Sequence, residues 1–311
     1  MFFSFILPAY KANYLRESIN SILRQDFSDF ELIIVDDDSP NQLGDIVYEF
    51  KDSRISYYRN KHNIGGNDLI AQWNLCLKYA KGDYVILATD DDLYEPNFLS
   101  TFFNLINKYP DVQVFRSRIM SINDSGDIMW FDRTYKEFLN QGEFFYYYLQ
   151  GIMGGIPQFV FKRKSLVDGG GFVKFPIAWG SDDATALKHS YNGIVNSQDM
   201  LVKFRWSNVN ISSKHDRTTL LKKVEARVQL CQWLKKEIVN VHFSNDAIGQ
   251  FCYNDVVNKI DIHIKRILIK ELSYLSIYDF FRTIYRISKL NLLSKRNICS
   301  IIYRCIKNNM L

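Results

Sequence analysis

Short apolar runs alternate with amphipathic helical patterns through the first hundred or so residues, and this alternation constrains the fold more than any other feature. Five apolar runs predict strands, and they are Phe2–Leu7, Glu31–Val35, Arg54–Tyr58, Tyr84–Ala88 and Val112–Arg118. Between these runs, apolar residues recur three and four positions apart, which predicts helices. Strands that alternate with helices are typical of a parallel sheet with helices on its faces. The sequence therefore predicts an α/β fold of order βαβαβαβαβ.

The distribution of charge along the 311 residues divides the chain into two parts. Residues 1–215 have 22 Lys and Arg against 26 Asp and Glu, whereas residues 216–311 have 17 against 8. From about Arg217 onward, apolar residues follow helical spacing with Lys and Arg between them. We therefore predict a slightly acidic α/β body followed by a basic helical C-terminal region.

The composition excludes several classes of protein. Hydrophobic residues make up 47% and charged residues 23% of the chain, which is typical of a globular protein, and a net charge of +5 is too small to indicate nucleic acid as a partner. Five scattered cysteines without a Cys-x-x-Cys pair favour neither disulfides nor zinc, so we expect a reducing, cytoplasmic setting. The apolar N-terminus breaks at Pro8 and is too short for a signal peptide. No apolar run reaches the roughly 18 residues of a spanning helix.

Two acidic triplets follow directly after predicted strands. Asp36–Asp38 come after the second strand and Asp90–Asp92 after the fourth. In an open α/β sheet, ligands bind at the carboxyl ends of the strands. Either triplet alone is explained equally well by the preference of Asp for turns and helix N-termini. Two triplets at equivalent strand ends favour a site for Mg²⁺ or Mn²⁺ shared with a diphosphate.

A third acidic pair, Asp182-Asp183, opens a predicted helix shortly after Trp179. Taken alone, the pair is explained by the interaction of Asp with a helix N-terminus, which contributes about 0.3–1 kcal/mol. Beside the two triplets, it becomes a candidate general base, a carboxylate that takes a proton from an attacking hydroxyl group. Packing in the core explains Trp179 as well as contact with a ligand does.

Several motifs, in their order and spacing, resemble the family 2 inverting glycosyltransferases of the GT-A fold. The matching motifs are Leu7-Pro-Ala-Tyr10, Ser18-Ile-Asn-Ser-Ile-Leu-Arg-Gln25, Phe30-Glu-Leu-Ile-Ile-Val-Asp-Asp-Asp-Ser39, Asn63-Ile-Gly65, Ala80-Lys-Gly-Asp-Tyr-Val85, Thr89-Asp-Asp-Asp92 and Pro96. The resemblance covers roughly residues 1–215. It implies a Rossmann-like, mostly parallel sheet flanked by helices, with a nucleotide-binding half over 1–118 and an acceptor-binding half over 119–215. The basic helical region over 216–311 follows this domain as an extension.

The resemblance also implies roles for individual residues. The nucleotide-binding residues that it implies are Pro8, Ala9, Tyr10, Asp37, Asn63, Gly65 and Asp90. Asp91 and Asp92 would hold Mn²⁺ or Mg²⁺, Asp182 would be the general base with Asp183 beside it, and Trp179 would contact the acceptor. The implied reaction moves a sugar, with inversion, from a nucleotide-diphosphate donor such as a UDP-sugar to a hydroxyl of a glycan or lipid-linked acceptor in surface polysaccharide synthesis.

The chain departs from the family pattern at three places. Thr89 stands where the first Asp of the Asp-x-Asp motif often lies, and Gln72-Trp73-Asn74 replaces a motif with a basic residue. The family's Glu-Asp pair is Asp182-Asp183 here, which leaves the ranking of the two open. A catalytically silent relative that binds a nucleotide sugar or a partner enzyme is therefore an alternative. A nucleotidyltransferase is disfavoured because no Gly-rich basic loop follows the first strand.

The basic C-terminal region has two interpretations of equal weight. Ser294–Lys307 interleaves Lys and Arg with Ile and Tyr, which is typical of a helix on an anionic membrane surface. The alternative is a helical subdomain that packs on the body and exposes a basic face to solvent. A contribution to an oligomer or to acceptor binding is equally open. The predicted location is the cytoplasm, with peripheral contact at the inner face of the cell membrane.

Overall fold

A mixed sheet forms the centre of the molecule, whose computed structural model describes residues 2–152, 154–207 and 210–309. The strands of these residues are β1 (Phe3–Ala9), β2 (Phe30–Asp36), β3 (Ile55–Arg59), β4 (Tyr84–Leu87), β5 (Leu93–Tyr94), β6 (Val114–Ile122), β7 (Ile128–Phe131), β8 (Phe138–Leu139), β9 (Phe159–Lys162) and β10 (Ile194–Arg205). The α-helices are α1 (Leu15–Leu23), α2 (Leu43–Tyr48), α3 (Leu69–Tyr79), α4 (Phe98–Lys108), α5 (Gln141–Leu149), α6 (Arg163–Asp168), α7 (Ser181–His189), α8 (Arg217–Glu237), α9 (Ala247–Val256), α10 (Ile260–Leu272), α11 (Ile277–Lys289) and α12 (Lys295–Asn309).

The strands run in the order β3-β2-β1-β4-β9-β6-β10-β5, with β7 paired to β6 and β8 to β10. The first four strands along this order are parallel, and Phe3 of β1 lies opposite Phe30 of β2 on one side and Tyr84 of β4 on the other. β9 is antiparallel to both β4 and β6. The predicted α/β alternation is confirmed, and the insertion of β9 into the sheet is an addition that the sequence did not signal.

Helices cover both faces of the sheet because the strand residues alternate between two apolar clusters. Phe3, Phe5 and Leu7 of β1 pack with α1, α2 and α4 on one face. Ile6 faces the other way and joins the cluster formed with α3, α5, α7 and α8. The central strands are therefore buried on both sides, as parallel strands in α/β proteins are.

The basic helical region packs against the body. α8 begins after Asp216, whose side chain caps the helix by accepting a hydrogen bond from the backbone N–H of Thr219 at 3.0 Å. Leu230 and Leu234 of α8 belong to the main core, and other residues of α8 form a separate core with α10, α11 and α12. Within the described residues, none of the helices combines the length and apolarity that crossing a bilayer requires. The interpretation of this region as a packed helical subdomain agrees with these contacts.

Candidate functional site

The carboxyl ends of β1, β2 and β4 lie side by side, and hydrogen bonds join the segments that follow them. The backbone N–H of Tyr10, just after Pro8 and Ala9, donates to Asp90 Oδ2 at 2.9 Å. Ser39 Oγ, after β2, donates to the carbonyl oxygen of Tyr10 at 2.6 Å. The predicted nucleotide-binding residues of three strands therefore lie along one edge of the sheet.

Asp37 organises the loop that contains Asn63 and Gly65. Its Oδ1 accepts from the backbone N–H of Ile64 at 2.8 Å, and its Oδ2 accepts from that of Gly65 at 2.6 Å. A Cβ at Gly65 would lie only 2.8 Å from Asp37 Oδ2, so the close approach needs glycine. Asn63 Oδ1 in turn accepts from the N–H of Gly66 at 2.5 Å. The predicted pocket residues Asp37, Asn63 and Gly65 are thus one connected wall.

Asp36, the first residue of the first triplet, is buried and makes contacts that stabilise the fold. It is fully buried and accepts hydrogen bonds from Tyr57 Oη at 2.7 Å and from the backbone N–H of Ser39 at 2.8 Å. Arg59 bridges Asp36 and Asp38. The carboxylates of this triplet are therefore compensated by donors and by one arginine, which is the arrangement that repelling neighbours require.

The second triplet is a buried turn in which each carboxylate has a different surrounding. Asp92 Oδ1 accepts from the backbone N–H of Arg205 at 2.7 Å, and its other oxygen accepts from the hydroxyl of Thr89. Burial and then the charge of Asp91 raise the pKa of Asp92 to about 8. Burial also raises the pKa of Asp90, against the lowering influence of Lys11. Both carboxylate oxygens of Asp92 therefore accept hydrogen bonds within the protein, although the family resemblance implies that Asp92 is a metal ligand.

Lys11 is a site residue that the sequence did not reveal. Its Nζ lies 3.1 Å from Asp90 Oδ1, donates to Asp91 Oδ2 and lies 3.2 Å from Asn210 Oδ1. Burial alone would lower the pKa of Lys11, but the charges of Asp90 and Asp91 outweigh it and raise that pKa. The ammonium group is therefore a positive charge held against the predicted metal-binding carboxylates.

Arg205, at the end of β10, binds the backbone of the second triplet. The side chain is 2% exposed, and its Nε donates to the carbonyl oxygen of Asp91 at 3.0 Å. Its other nitrogens donate to the carbonyl oxygen of Asp124 at 3.1 Å and to Glu17 Oε2 at 2.7 Å. The guanidinium also lies 4.1 Å from the centre of the Tyr14 ring. A single buried arginine therefore links the Asp90–Asp92 turn to Asp124 and to Glu17 of α1.

The carboxylates fit a divalent cation only in part. Among the described residues, no group of three or more His, Cys, Asp or Glu side chains is arranged to hold a metal ion. Asp90 Oδ1 and Asp91 Oδ2 are hard oxygen donors that face a cation, Lys11 Nζ. Mg²⁺-type ions are commonly held by one or two carboxylates together with substrate phosphates. The residues present therefore fit a metal site that a bound diphosphate would complete.

Asp182 and Asp183 lie in the first turn of α7, half-buried. Asp182 Oδ1 accepts from the backbone N–H of Asp183 at 2.9 Å. A Cβ at Gly154 would lie 2.2 Å from Asp183 Oδ1, so this carboxylate occupies space that only glycine leaves free. Burial and then the charge of Asp182 raise the pKa of Asp183 to about 8, against the influence of Arg227 and Arg116. Burial also raises the pKa of Asp182.

The segment after Gly154 connects this pair to the sheet edge that carries the second acidic triplet. The hydroxyl of Tyr94, in β5 just beyond the second triplet, donates to the carbonyl oxygen of Pro157 at 3.1 Å. Gly155 lies against the ring of Phe204, next to Arg205 in β10. The acidic pair and the acidic triplet are therefore joined through two short, packed segments.

The C-terminal helices reach the acidic pair through Trp179. The indole Nε1 donates to Glu271 Oε1 of α10 at 2.9 Å, and the ring lies 4.6 Å from Lys223 Nζ and 5.2 Å from Arg227 Cζ of α8. Arg227 also pairs with Glu271 at 3.2 Å. The indole of Trp179 is thus held by two helices, and its predicted acceptor contact stays a prediction. Sequence spacing gave no signal for Arg227 or Glu271, because both lie far along the chain.

The sequence profile of the family described as "Glycosyl transferase family 2" matches residues 4–170, which is more than half of the chain. The chain belongs to this family. The matched segment of the family 2 protein contains the edge built by Asp37 and Asp91 and ends before Asp182 and Asp183. The acidic pair therefore lies beyond the part of the chain that the family profile matches.

Relatives of this family 2 chain match it over part of their length. One, 34% identical over 106 residues, is the UDP-Glc:alpha-D-GlcNAc-diphosphoundecaprenol beta-1,3-glucosyltransferase WfgD of Escherichia coli, with 34% of this chain and 41% of that protein covered. The chain spans between about a third and two fifths of the length of the first curated relatives that it matches.

Solved structures show the same fold at low identity. S. aureus TarS 1-349 in complex with UDP-GlcNAc matches with a TM-score of 0.57 and 18% identity, over 88% of this chain and 86% of that one. The mannosyltransferase PcManGT from Pyrobaculum calidifontis, in complex with GDP-Man and Mn²⁺, matches with a TM-score of 0.53 and 17% identity, over 98% and 86%. The predicted GT-A architecture of the family 2 protein is confirmed.

Proposed function

We propose that this chain is an inverting glycosyltransferase of surface polysaccharide synthesis, which moves a sugar from a nucleoside-diphosphate donor, UDP in the first instance, to a hydroxyl of a glycan or lipid-linked acceptor. The observation that carries the proposal is the pairing of two acidic centres with different surroundings. The Asp90–Asp91 centre faces a cation, and the Asp182–Asp183 centre holds carboxylates of raised pKa. The printed name of WfgD, with its UDP-Glc and its diphosphoundecaprenol, supports donor and acceptor of these classes.

The donor side takes the nucleotide at the edge formed by Pro8, Ala9 and Tyr10 and by the wall around Asp37. Asp90 fixes that edge through the backbone N–H of Tyr10, and Asp91 presents a carboxylate toward the diphosphate. Asp91 would hold Mn²⁺ or Mg²⁺, and the bound ion would neutralise the negative charge of the leaving diphosphate. Asp92 would support Asp91 through its bonds to Thr89 and Arg205. The Mn²⁺ in PcManGT supports a metal of this kind.

The acceptor side supplies the general base. A carboxylate that removes the proton of the acceptor hydroxyl lets its oxygen attack the anomeric carbon while the bond to the diphosphate breaks, which inverts that carbon in one displacement. The family resemblance implies Asp182 for this role, with Asp183 beside it, and leaves their ranking open. The surroundings favour Asp183, because Asp182 Oδ1 is engaged by a backbone N–H and Asp183 has a pKa near the working pH. Trp179 stays the proposed acceptor contact.

The donor site is tested by thermal unfolding with UDP, GDP, CDP and dTDP, each with and without Mn²⁺. A ligand at about 100 times its Kd should stabilise the protein by about 2.7 kcal/mol, and we expect a shift of this size for UDP with Mn²⁺. The shift should vanish in Asp91→Asn and persist in the control Asp168→Asn, whose side chain is exposed on α6. No shift with any nucleotide would contradict the donor site and favour the silent relative that binds a partner enzyme.

The outer face of α11 supports peripheral contact with an anionic membrane at the inner face of the cell membrane. The side of α11 that carries Phe280, Ile284 and Ile287 is buried, and Arg217 fixes the helix by a bidentate pair with Asp279, both contacts at 2.7 Å. The opposite side exposes aromatic and basic residues in alternation, and they are Tyr278, Phe281, Arg282, Tyr285, Arg286 and Lys289. Aromatic rings with Lys and Arg are typical of faces that rest at the lipid headgroups.

Membrane contact predicts that vesicle binding depends on the charge of this face. Each Lys or Arg near an anionic surface contributes about 1 kcal/mol, so Arg282→Gln with Arg286→Gln and Lys289→Gln should weaken binding to phosphatidylglycerol vesicles about 100-fold. The matched control changes Lys78, Lys81 and Lys164, exposed lysines of the body, to Gln. Co-sedimentation measures both variants. Equal binding to phosphatidylcholine vesicles, or equal loss in the control, would contradict the proposal.

A further inference from the structure

The Lys11 ammonium lies where a cation would lie between the donor-side carboxylates. Its Nζ contacts Asp90 Oδ1 at 3.1 Å, donates to Asp91 Oδ2 and lies 3.2 Å from Asn210 Oδ1. The backbone N–H of the same lysine donates to Asp90 Oδ2 at 2.7 Å. The side chain is only 26% exposed, so this is a held position and not a passing surface contact.

We propose that Lys11 is a resident counter-ion of Asp90 and Asp91, which must leave Asp91 before a divalent cation can bind there. The inference rests on the proposed function in one respect, the assignment of Asp91 as a metal ligand. It adds a residue that controls when the site accepts a metal.

Competition follows from the atoms involved. Lys11 Nζ occupies Oδ2 of Asp91, one of the two oxygens of the carboxylate that would hold the ion. A divalent cation on the same carboxylate would lie close to the ammonium, and the two positive charges would repel each other. An ammonium is a compact charge on a flexible stem, with three donors that can turn toward other acceptors. A diphosphate at this edge offers such acceptors. The diphosphate would therefore draw Lys11 away from Asp91 and open that carboxylate to the metal.

Asn210 extends the consequence to the segment after β10. Asn210 Nδ2 donates to the carbonyl oxygen of Arg205 at 2.6 Å, while its Oδ1 lies by Lys11 Nζ and also accepts from Ser207 Oγ at 2.9 Å. Movement of Lys11 toward a diphosphate would remove one of these partners of Asn210. Because the same movement would free Asp91 for the metal, nucleotide binding and metal binding should strengthen each other. This coupling has to be reciprocal.

The experiment measures Mn²⁺ binding to the full chain by electron paramagnetic resonance of free Mn²⁺, first without nucleotide. Removal of the competing charge in Lys11→Met should tighten the Mn²⁺ Kd by at least about tenfold. Lys11→Arg keeps the charge and should bind Mn²⁺ as weakly as the parent protein. The control Lys164→Met removes an exposed lysine that pairs with Asp168 on α6, and it should leave the Kd unchanged.

The second arm adds UDP. UDP should tighten Mn²⁺ binding in the parent protein and do so much less in Lys11→Met, because the competitor is already absent. An unchanged Mn²⁺ Kd in Lys11→Met, or no Mn²⁺ binding in either protein, overturns the proposal. If Lys11→Met unfolds, Lys11→Gln serves with the same expected sign. A Lys11 effect that persists while no nucleotide alters Mn²⁺ binding would refute the proposed donor and leave the counter-ion in place.

Discussion

Replacing Asp183 by Asn should lower the rate of sugar transfer about 10²–10⁴-fold, the range that a general base contributes. Asn keeps the shape of the side chain and cannot take the acceptor proton. The rate is measured as release of the nucleoside diphosphate from the sugar nucleotide that stabilises the protein, with water as acceptor. The thermal shift by nucleotide and Mn²⁺ should be unchanged, since Asp183 lies outside the donor edge.

Asp182→Asn is the matched control, with the same chemical change one residue away. We expect a smaller loss, because Asp182 Oδ1 accepts the backbone N–H of Asp183 and the amide of Asn can do the same. A larger loss in Asp182→Asn would favour Asp182 as the base, the residue that the family resemblance implies. Full activity in both variants would contradict the assignment of the pair.

The pH profile gives a readout that a structural role would not produce. The base acts when deprotonated, and burial and the charge of Asp182 hold the pKa of Asp183 at about 8. The rate should therefore rise with pH and level off above that pKa. Removing the neighbouring charge in Asp182→Asn lowers the pKa of Asp183, so the rising limb should move to lower pH. A rate that is already constant from pH 5 upward would contradict a base of raised pKa.

Arg205→Met should destabilise the protein by about 3–5 kcal/mol, because it leaves several buried carbonyl oxygens without a donor, each at a cost of about 1–3 kcal/mol. The methionine retains the apolar stem and leaves the carbonyl oxygens of Asp91 and Asp124 without their donor. The loss corresponds to a fall in Tm of roughly 10 °C. Thermal and urea unfolding measure it.

The control for Arg205→Met is Arg133→Met, an exposed arginine after β7. Surface substitutions of this kind stay within about 0.5 kcal/mol of the parent protein. The nucleotide shift should also weaken in Arg205→Met, because the turn that presents Asp91 loses its support. A variant as stable as Arg133→Met would show that Arg205 does not hold the turn.

The position of the strand-end residues could be predicted from the sequence because the signals for it are local. Strand ends and acidic triplets are visible in short windows, and neighbouring parallel strands place Asp37 and Asp90 at one edge without further information. The bounds of β1 and β2 lie within one or two residues of the predicted strands. The α/β order and the architecture were predictable for the same reason.

The parts that the sequence did not reveal depend on distant contacts. Lys11 and Asn210 are 199 positions apart, and Arg205 reaches Glu17 across 188 positions. No local pattern distinguishes a lysine that faces two carboxylates from one in solvent. The four residues of β9 do not indicate by themselves whether the strand runs parallel or antiparallel to its neighbours. Its antiparallel direction is seen only in its pairing with β4 and β6. These features follow from the packed chain alone.

The contacts of α8 and α10 with Trp179 affect how truncated or chimeric forms of this protein should be designed. The family profile ends at residue 170. Arg227 of α8 nevertheless lowers the pKa of Asp183, and Glu271 of α10 pairs with Arg227 and accepts a hydrogen bond from Trp179. The segment that the family profile matches therefore lacks two helices that contact Trp179, next to the acidic pair. A chimera joined near residue 215 would take Asp183 from one parent and Arg227, whose charge lowers the pKa of Asp183, from the other. A domain exchange in this protein should therefore include α8 and α10.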